Sequence, residues 1–164
     1  MVLNQKTEKG SIPEISKTEI RQCLQRAADS PRRRYPKIIH KPGAQFNQVF
    51  NFMMGDTYMQ PHLHPSDEKI EKMYLLEGSF AVLFFDGDGA INNISTLEKG
   101  VLDYIEIPAH TWHTYVMLSE KVVSYETMMG KFDPLSWKKL ASWAPPEQTE
   151  ESIDYLNYLK KASL

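Results

Sequence analysis

The chain is 164 residues long and carries a formal net charge of −2, from 19 basic and 21 acidic residues. This length is typical of one domain with a single core. The basic residues are scattered apart from Arg32, Arg33 and Arg34, so we expect no nucleic-acid surface. The first residues lack the apolar core of a signal peptide, and no stretch approaches the roughly 18 apolar residues of a membrane span. We therefore predict a cytoplasmic protein without membrane contact.

The N-terminal part of the chain has the signals of one amphipathic helix. Ser16 and Glu19 have the Ser-x-x-Glu spacing of a capping box. Apolar residues then recur at helical spacing until Pro31. The single cysteine, Cys23, lies within this pattern and has no partner for an internal disulfide, so we predict a buried and unreactive thiol. Residues 1–36 are the predicted N-terminal helical extension.

Residues 37–130 have the texture of a β domain, with short runs of β-branched and aromatic residues between turn signals. The clearest predicted strands are Ser79–Phe85, Val101–Ile107 and Lys121–Met128. The stretch Asp86-Gly87-Asp88-Gly89 resembles the start of a calcium loop. However, Leu97 stands where an EF-hand needs a glutamate, so we interpret the stretch as a hairpin turn. Many short strands with regular turns predict an all-β sandwich or barrel.

The last segment, residues 131–164, is interrupted by Asp133-Pro134 and Ala144-Pro145-Pro146 and then favours a helix. Thr149 is the predicted N-cap of this helix. Acidic residues follow in its first turn and basic residues in its last, where each interacts favourably with the helix dipole. Its predicted apolar stripe consists of Ile153, Leu156 and Leu159. This stripe needs a surface to bury against, which is either the outside of the barrel or a second subunit.

Three histidines and one glutamate are spaced as in a metal site on a β scaffold. His62 and His64 would lie on one face of a strand, about 6–7 Å apart along it, which is close enough to reach one ion. Glu71 offers an oxygen ligand, and His113 adds an imidazole from a distant strand. Such a mixed shell suits one divalent transition metal, namely Fe, Mn, Ni, Zn or Co. His-x-His alone would be weak evidence, but the combination is much rarer.

Glu68 is the competing carboxylate ligand. Alternation along a strand from Glu71 places Met73 and Leu75 on the same face as Glu71. A carboxylate that points into such an apolar interior is costly unless it is paired or bound to metal. Glu68 and its neighbour Asp67 are instead predicted in a solvated loop. We therefore prefer Glu71 as the ligand.

The same residues, with the glycines and proline around them, form two wider patterns. One contains Gly55, His62, His64, Glu71 and Gly78, and the other contains Gly100, Pro108 and His113. They resemble the two motifs of the cupin superfamily. Six residues separate His64 from Glu71, which is more than the motif has, and both leading glycines are offset. His110 replaces a motif glycine, and we predict a turn with positive φ there. The resemblance implies an all-β fold, a cupin double-stranded β-helix or jelly-roll barrel over residues 37–130, with a bound metal.

A narrower resemblance is to the WbuC-type cupin metalloproteins, small bacterial proteins associated with O-antigen and lipopolysaccharide gene clusters. It covers most of Ser30 to Glu147. The runs that carry it are Ser30-Pro31-Arg32-Arg33-Arg34 with His40, His62-Leu63-His64-Pro65, Phe84-Phe85-Asp86, Glu106-Ile107-Pro108, Thr111-Trp112-His113 and Trp143-Ala144-Pro145-Pro146-Glu147. This resemblance implies a barrel and a metal but no particular substrate.

The function that follows is a metal-dependent enzyme acting on a small polar metabolite, with a sugar or sugar-derived intermediate as our hypothesis. Isomerisation, epimerisation and oxygenation are the candidate reactions. Tyr58, Tyr115 and Met117 are predicted to bind substrate, because cupin substrates lie against the inward strand faces. Two alternatives stay open: a non-catalytic module whose metal organises a ligand pocket, and an ion that only stabilises the barrel. We expect a small-molecule partner, and the C-terminal stripe is compatible with a homodimer.

Overall fold

The computed structural model describes residues 6, 7 and 10–164, and in these residues the chain forms two α-helices and twelve β-strands. The helices are α1 (Lys17–Asp29) and α2 (Glu150–Ala162). The strands are β1 (Lys6–Thr7), β2 (Gly10–Ser11), β3 (Arg34–Ile38), β4 (Phe46–Met54), β5 (His62–Leu63), β6 (Glu71–Glu77), β7 (Ser79–Phe85), β8 (Ile91–Glu98), β9 (Tyr104–Ile107), β10 (His113–Met117), β11 (Lys121–Met129) and β12 (Lys139–Leu140). Neither helix within the described ranges is long and apolar enough to cross a membrane.

Two five-stranded antiparallel sheets form the body of the protein. Sheet I has the order β12-β5-β10-β7-β8, and sheet II has the order β3-β4-β11-β6-β9. The chain passes repeatedly from one sheet to the other between β5 and β11. Residues that are far apart in sequence therefore become neighbours, and the inner faces of both sheets share one apolar core. The predicted β architecture with one helix near each end is confirmed.

The strand predictions are confirmed for β7 and, within one residue, for β11. The predicted strand Val101–Ile107 is wrong at its start, because β9 begins at Tyr104. Gly100 has a φ of +86° and the N–H of Val101 donates to the carbonyl of Glu98, so these residues turn the chain. The Asp86 hairpin is confirmed, since its carboxylate accepts backbone N–H bonds from Asp88 and Ala90 at 2.9 and 3.0 Å.

Alternation along the strands of sheet II separates two hydrophobic layers. Met53 and Val122 face the core between the sheets, whereas Phe52 and Val123 face outward beneath α1. The helix begins at the predicted capping box, in which Ser16 and Glu19 bond to each other's backbone N–H. Cys23 is buried on this helix, as predicted, and burial raises the pKa of its thiol.

Helix α2 covers the outer face of sheet I. Its buried residues Leu156 and Leu159 pack against residues of β7 and β10. Two details of the predicted helix are wrong. Ile153 is 62% exposed and does not join the buried stripe. Thr149 is the N-cap residue, but its hydroxyl donates to the carbonyl of Pro146 at 2.8 Å and makes no capping bond.

A partly buried ion pair connects the segment before α2 to sheet II. Arg34 on β3 is 2.5 Å from the Glu147 carboxylate and donates to the Tyr58 carbonyl at 3.0 Å. Arg32 approaches the same carboxylate at 3.0 Å. Burial alone would raise the pKa of Glu147, but the bond with Arg32 and the charge of Arg34 outweigh burial and lower this pKa. The pair therefore anchors the C-terminal segment onto the barrel.

We predict that Glu147→Gln lowers the free energy of unfolding at pH 7 by about 1–3 kcal/mol, because it leaves Arg34 without its charged partner. The lowered pKa means that the carboxylate stabilises the fold above its unfolded pKa of about 4.3, and that this contribution is lost as pH falls through the folded pKa. Urea unfolding curves between pH 7 and pH 3 should show the two proteins converging in acid.

The control for this experiment is Glu120→Gln. It removes the same charge from an exposed side chain that forms no ion pair within the part of the chain described. We expect a change below about 0.5 kcal/mol at pH 7. The role of the Arg34–Glu147 pair would be contradicted if Glu147→Gln lowered the free energy of unfolding as little as the control does. It would also be contradicted if the loss in Glu147→Gln were unchanged at pH 3.

Candidate metal centre

The three histidines and Glu71 meet between the two sheets, at the ends of their strands. His62 and His113 begin β5 and β10 and pair directly across sheet I. His64 follows β5 on the same face as His62, as the i, i+2 spacing predicts. Glu71 begins β6 in sheet II and pairs with Ile107. One ligand atom from each of the four lies within 4.8 Å of the others, and all four side chains are buried.

Each imidazole is held by a backbone carbonyl on one side of its ring. The Nδ1 atoms of His62, His64 and His113 lie 3.1, 2.8 and 2.8 Å from the carbonyl oxygens of Gln60, Trp137 and Thr111, respectively. A carbonyl oxygen only accepts hydrogen bonds, so Nδ1 must be the protonated nitrogen in every ring. In a neutral imidazole this leaves a lone pair on Nε2. The fold therefore prepares three Nε2 atoms as ligands.

Both carboxylate oxygens of Glu71 make contacts in the site, and the contact of Oε1 fixes the orientation of the carboxylate. Oε2 lies 3.2 Å from His64 Nε2 and 3.1 Å from His113 Nε2. Oε1 accepts a short hydrogen bond from the hydroxyl of Tyr115. Burial and the negative charge of Glu71 raise the pKa of Tyr115 well above its usual range, so the phenol keeps the proton that it donates. The carboxylate thus presents one fixed oxygen to the histidines.

The charges at this centre require a cation. Burial, followed by the charge of His113, lowers the pKa of His62 well below its usual range, so this ring stays neutral. Burial alone would raise the pKa of Glu71, but its hydrogen bonds with His113 and His64 outweigh burial and hold this pKa well below its usual range. A hydrogen bond from His64 or His113 to Glu71 needs a proton on Nε2, in addition to the proton that Nδ1 donates to its backbone carbonyl. Either protons or a metal ion must therefore balance the buried carboxylate.

The donor set fits a transition metal. Three neutral imidazoles and one carboxylate match the ligand preference of divalent first-row ions. The carbonyl bonds to Nδ1 and the Tyr115 bond to Glu71 are the outer contacts that usually orient metal ligands. Glu71, and not Glu68, joins the histidines, because strand alternation turns Glu71 inward. Glu68 is exposed in the loop beside Gly130.

A cavity of about 130 Å³ opens beside these residues. Its lining consists of Asn51, Met53, Met59, His62, His64, Glu71, Met73, Tyr115, Glu126, Trp137 and Lys138. Tyr115 therefore faces the cavity as expected from sequence, and its role in substrate binding stays a prediction. The fold and the donor set together provide a candidate metal centre with an adjoining space for a ligand.

The structure does not bring Tyr58 or Met117 to this cavity. The hydroxyl of Tyr58 donates to the Pro145 carbonyl at 2.7 Å, and its ring packs with Tyr155 beneath α2. Met59, the next residue, lines the cavity instead. Met117 shares a face with His113 and Tyr115 but lies one step deeper, in the closed core between the sheets. The expected lining by Tyr58 and Met117 is corrected on these grounds.

Glu126 is a cavity residue that sequence reasoning missed. It lies on the inward face of β11, beside Glu71, and accepts a hydrogen bond from Asn51 at 2.8 Å. Burial, followed by the negative charge of Glu71, raises the pKa of Glu126 well above its usual range. The signal was present in the sequence, since an acidic residue interrupts an apolar strand face, which is the same reasoning that selected Glu71.

Trp137 and Lys138 were also missed, because they come from the irregular segment before β12. The Trp137 carbonyl accepts from His64, and Lys69 donates to the Ser136 carbonyl at 3.0 Å. These bonds hold the segment over the cavity mouth. No periodic pattern in the sequence could have placed it there. The predicted turn at His110 is confirmed, with a φ of 60° and a backbone bond to the carbonyl of His64.

Comparison with solved structures identifies the fold. The capsular polysaccharide assembling protein CapF from Staphylococcus aureus is 15% identical with a TM-score of 0.51, and the match covers 65% of this chain and 32% of CapF. Protein SO0799 from Shewanella oneidensis is 10% identical with a TM-score of 0.50, and the match covers 65% of this chain and 69% of that protein. The present chain thus spans about a third of CapF. The architecture is the cupin jelly roll, as the sequence resemblance implied.

No curated protein matches the sequence. A family model described as "Domain of unknown function (DUF6016)" matches residues 15–97. The matched region includes His62, His64 and Glu71 and ends before His113. Because the match extends over about half of the sequence, the chain belongs to the DUF6016 family.

Proposed function

We propose that this protein binds one divalent transition-metal ion through His62, His64, Glu71 and His113 and acts on a small polar metabolite in the adjoining cavity. The observation that carries the proposal is the arrangement of the three imidazoles. Each ring donates Nδ1–H to a backbone carbonyl, so each Nε2 is left as a ligand beside one buried carboxylate oxygen.

The bound ion would polarise a substrate oxygen or lower the pKa of bound water. The protein groups around the site have separate tasks. Tyr115 holds the orientation of Glu71 through its hydroxyl. An apolar wall limits water around the ligand and consists of Met53, Met59 and Met73. Asn51 offers the ligand a polar contact. These groups are fixed on strands, which favours a preorganised site.

The narrower form of the proposal is an isomerase, epimerase or oxygenase for a sugar or sugar-derived intermediate, linked to O-antigen biosynthesis in the cytoplasm. Its support is the sequence resemblance to WbuC-type cupins, particularly Trp143-Ala144-Pro145-Pro146-Glu147. A small-molecule ligand and a homodimer belong to the same proposal. A metal-dependent binding or regulatory protein is the alternative, and it differs by saturable ligand binding without turnover.

We predict that protein purified without an affinity tag contains close to one equivalent of transition metal, measured by inductively coupled plasma mass spectrometry. His62→Ala should lose most of this metal, because it removes one of three imidazole ligands. Chelator treatment should lower the melting temperature of the wild type much more than that of the variant, since metal binding is coupled to folding.

The matched control is His110→Asn. The His110 side chain is exposed and contacts Asp67 at 2.7 Å, and asparagine tolerates the positive φ at this position. This variant should keep the metal content of the wild type. Equally low metal in wild type and His62→Ala after loading with each candidate metal would reject the site.

We predict that Tyr115→Phe weakens metal affinity by about 10-fold or more, because Glu71 loses the hydrogen bond that orients its carboxylate. Competition with a fluorescent chelator measures this affinity. Tyr104→Phe is the control, since it removes a tyrosine hydroxyl that also donates to a carboxylate, Glu106 at 2.7 Å, but outside the site. Equal affinities of the two variants would show that the Tyr115 hydroxyl does not support the ligand set.

A further inference from the structure

The cavity beside the candidate metal centre is small. Its volume of about 130 Å³ is well below the roughly 300–1,000 Å³ of pockets for drug-sized ligands. Part of the cavity wall is apolar and cannot stabilise a buried charge. This part consists of Met53, Met59, Met73 and Trp137. The part of a ligand that lies inside the cavity is therefore small, and bulk on that part is disfavoured.

The charge at the cavity mouth comes from Lys138. Among charged groups, Glu147 acts on it most strongly, followed by Arg34, Arg32 and Glu71. Its own charge acts on His62 and Glu126, which places it in the field of the site. Two other cations nearby are already engaged: Arg34 pairs with Glu147, and Lys69 bonds to the Ser136 carbonyl.

Lys138 itself lacks such a partner. Within the described residues it forms no hydrogen bond and no ion pair. An ammonium that makes no hydrogen bond, at the entrance of this cavity, favours an anionic ligand, because the ligand supplies a counter-charge in direct contact. A metal ion held by three neutral imidazoles and one carboxylate would keep a net positive charge and favour the same ligand.

We infer that the ligand of this cavity is a small hydroxy or oxo carboxylate, selected by the ammonium of Lys138 at the cavity mouth. The oxygens of such a compound can serve two partners, since the carboxylate meets Lys138 and a hydroxyl or oxo oxygen is a ligand for a hard or borderline metal ion. The inference rests on the proposed metal site. It makes Lys138 a specificity-determining residue of that site.

The experiment compares lactate with lactamide, its neutral counterpart of nearly the same shape. Wild type, Lys138→Gln and Lys139→Gln are loaded with Zn²⁺, which brings no redox chemistry. Metal content is measured first, and each compound is then titrated by calorimetry. We expect equal zinc in all three proteins and a lactate preference in the wild type. Lys138→Gln should reduce that preference about tenfold or more by weakening lactate binding alone.

Lys139→Gln is the matched control for the loss of one positive charge. Lys139 is exposed, lies 5.9 Å from the ring centre of Trp112 and is not one of the residues that line the cavity. It should keep the wild-type preference. Mandelate tests the size limit, because it is the same hydroxy acid with a phenyl ring in place of the methyl group. It should bind about tenfold or more weakly than lactate.

Three results would overturn the inference while leaving the metal site intact. These are equal binding of lactate and lactamide to zinc-loaded wild type, an unchanged preference in Lys138→Gln, and mandelate binding as tight as that of lactate. Absence of zinc from all three proteins would instead overturn the metal site, and the inference with it. The metal measurement therefore separates the two failures.

Discussion

Three imidazole Nε2 atoms are gathered around one buried carboxylate oxygen, and this arrangement needs a positive charge to be stable. The backbone carbonyls of Gln60, Trp137 and Thr111 hold the opposite nitrogen of each ring. Because the rings are locked in this way, the site does not depend on chance rotamers. The rest of the barrel can be understood as the support that keeps these Nε2 atoms directed at a common point.

The topology explains how such distant residues meet. His62 and His113 are direct partners across sheet I, while Glu71 comes from sheet II. The centre therefore bridges the two sheets at the edge of their common core. Tyr115, one alternation step along β10, reaches across to Glu71 and closes the contact between the sheets. The same side chains thus serve both the cohesion of the barrel and the orientation of the ligands.

The C-terminal segment completes the site from outside the strands that supply the ligands. Its Trp137 carbonyl holds His64, and its Lys138 lies at the cavity mouth. Further along, Glu147 pairs with Arg34 and fixes the segment to sheet II. This segment therefore connects the stability of the fold to the shape and charge of the cavity.

Local sequence patterns predict the β class of the fold, the strands Ser79–Phe85 and Lys121–Met128, both helices, the four convergent residues and the preference for Glu71 over Glu68. They do so because strand alternation and capping are local rules that spacing reveals. Glu126 obeys the same rule, since it is an acidic residue on an apolar strand face. Other features appear only in the folded chain: which nitrogen of each imidazole the backbone holds, the position of Tyr58 and Met117 away from the cavity, and the placement of Trp137 and Lys138 beside it. Those outcomes depend on contacts between residues far apart in the chain, which no local pattern encodes.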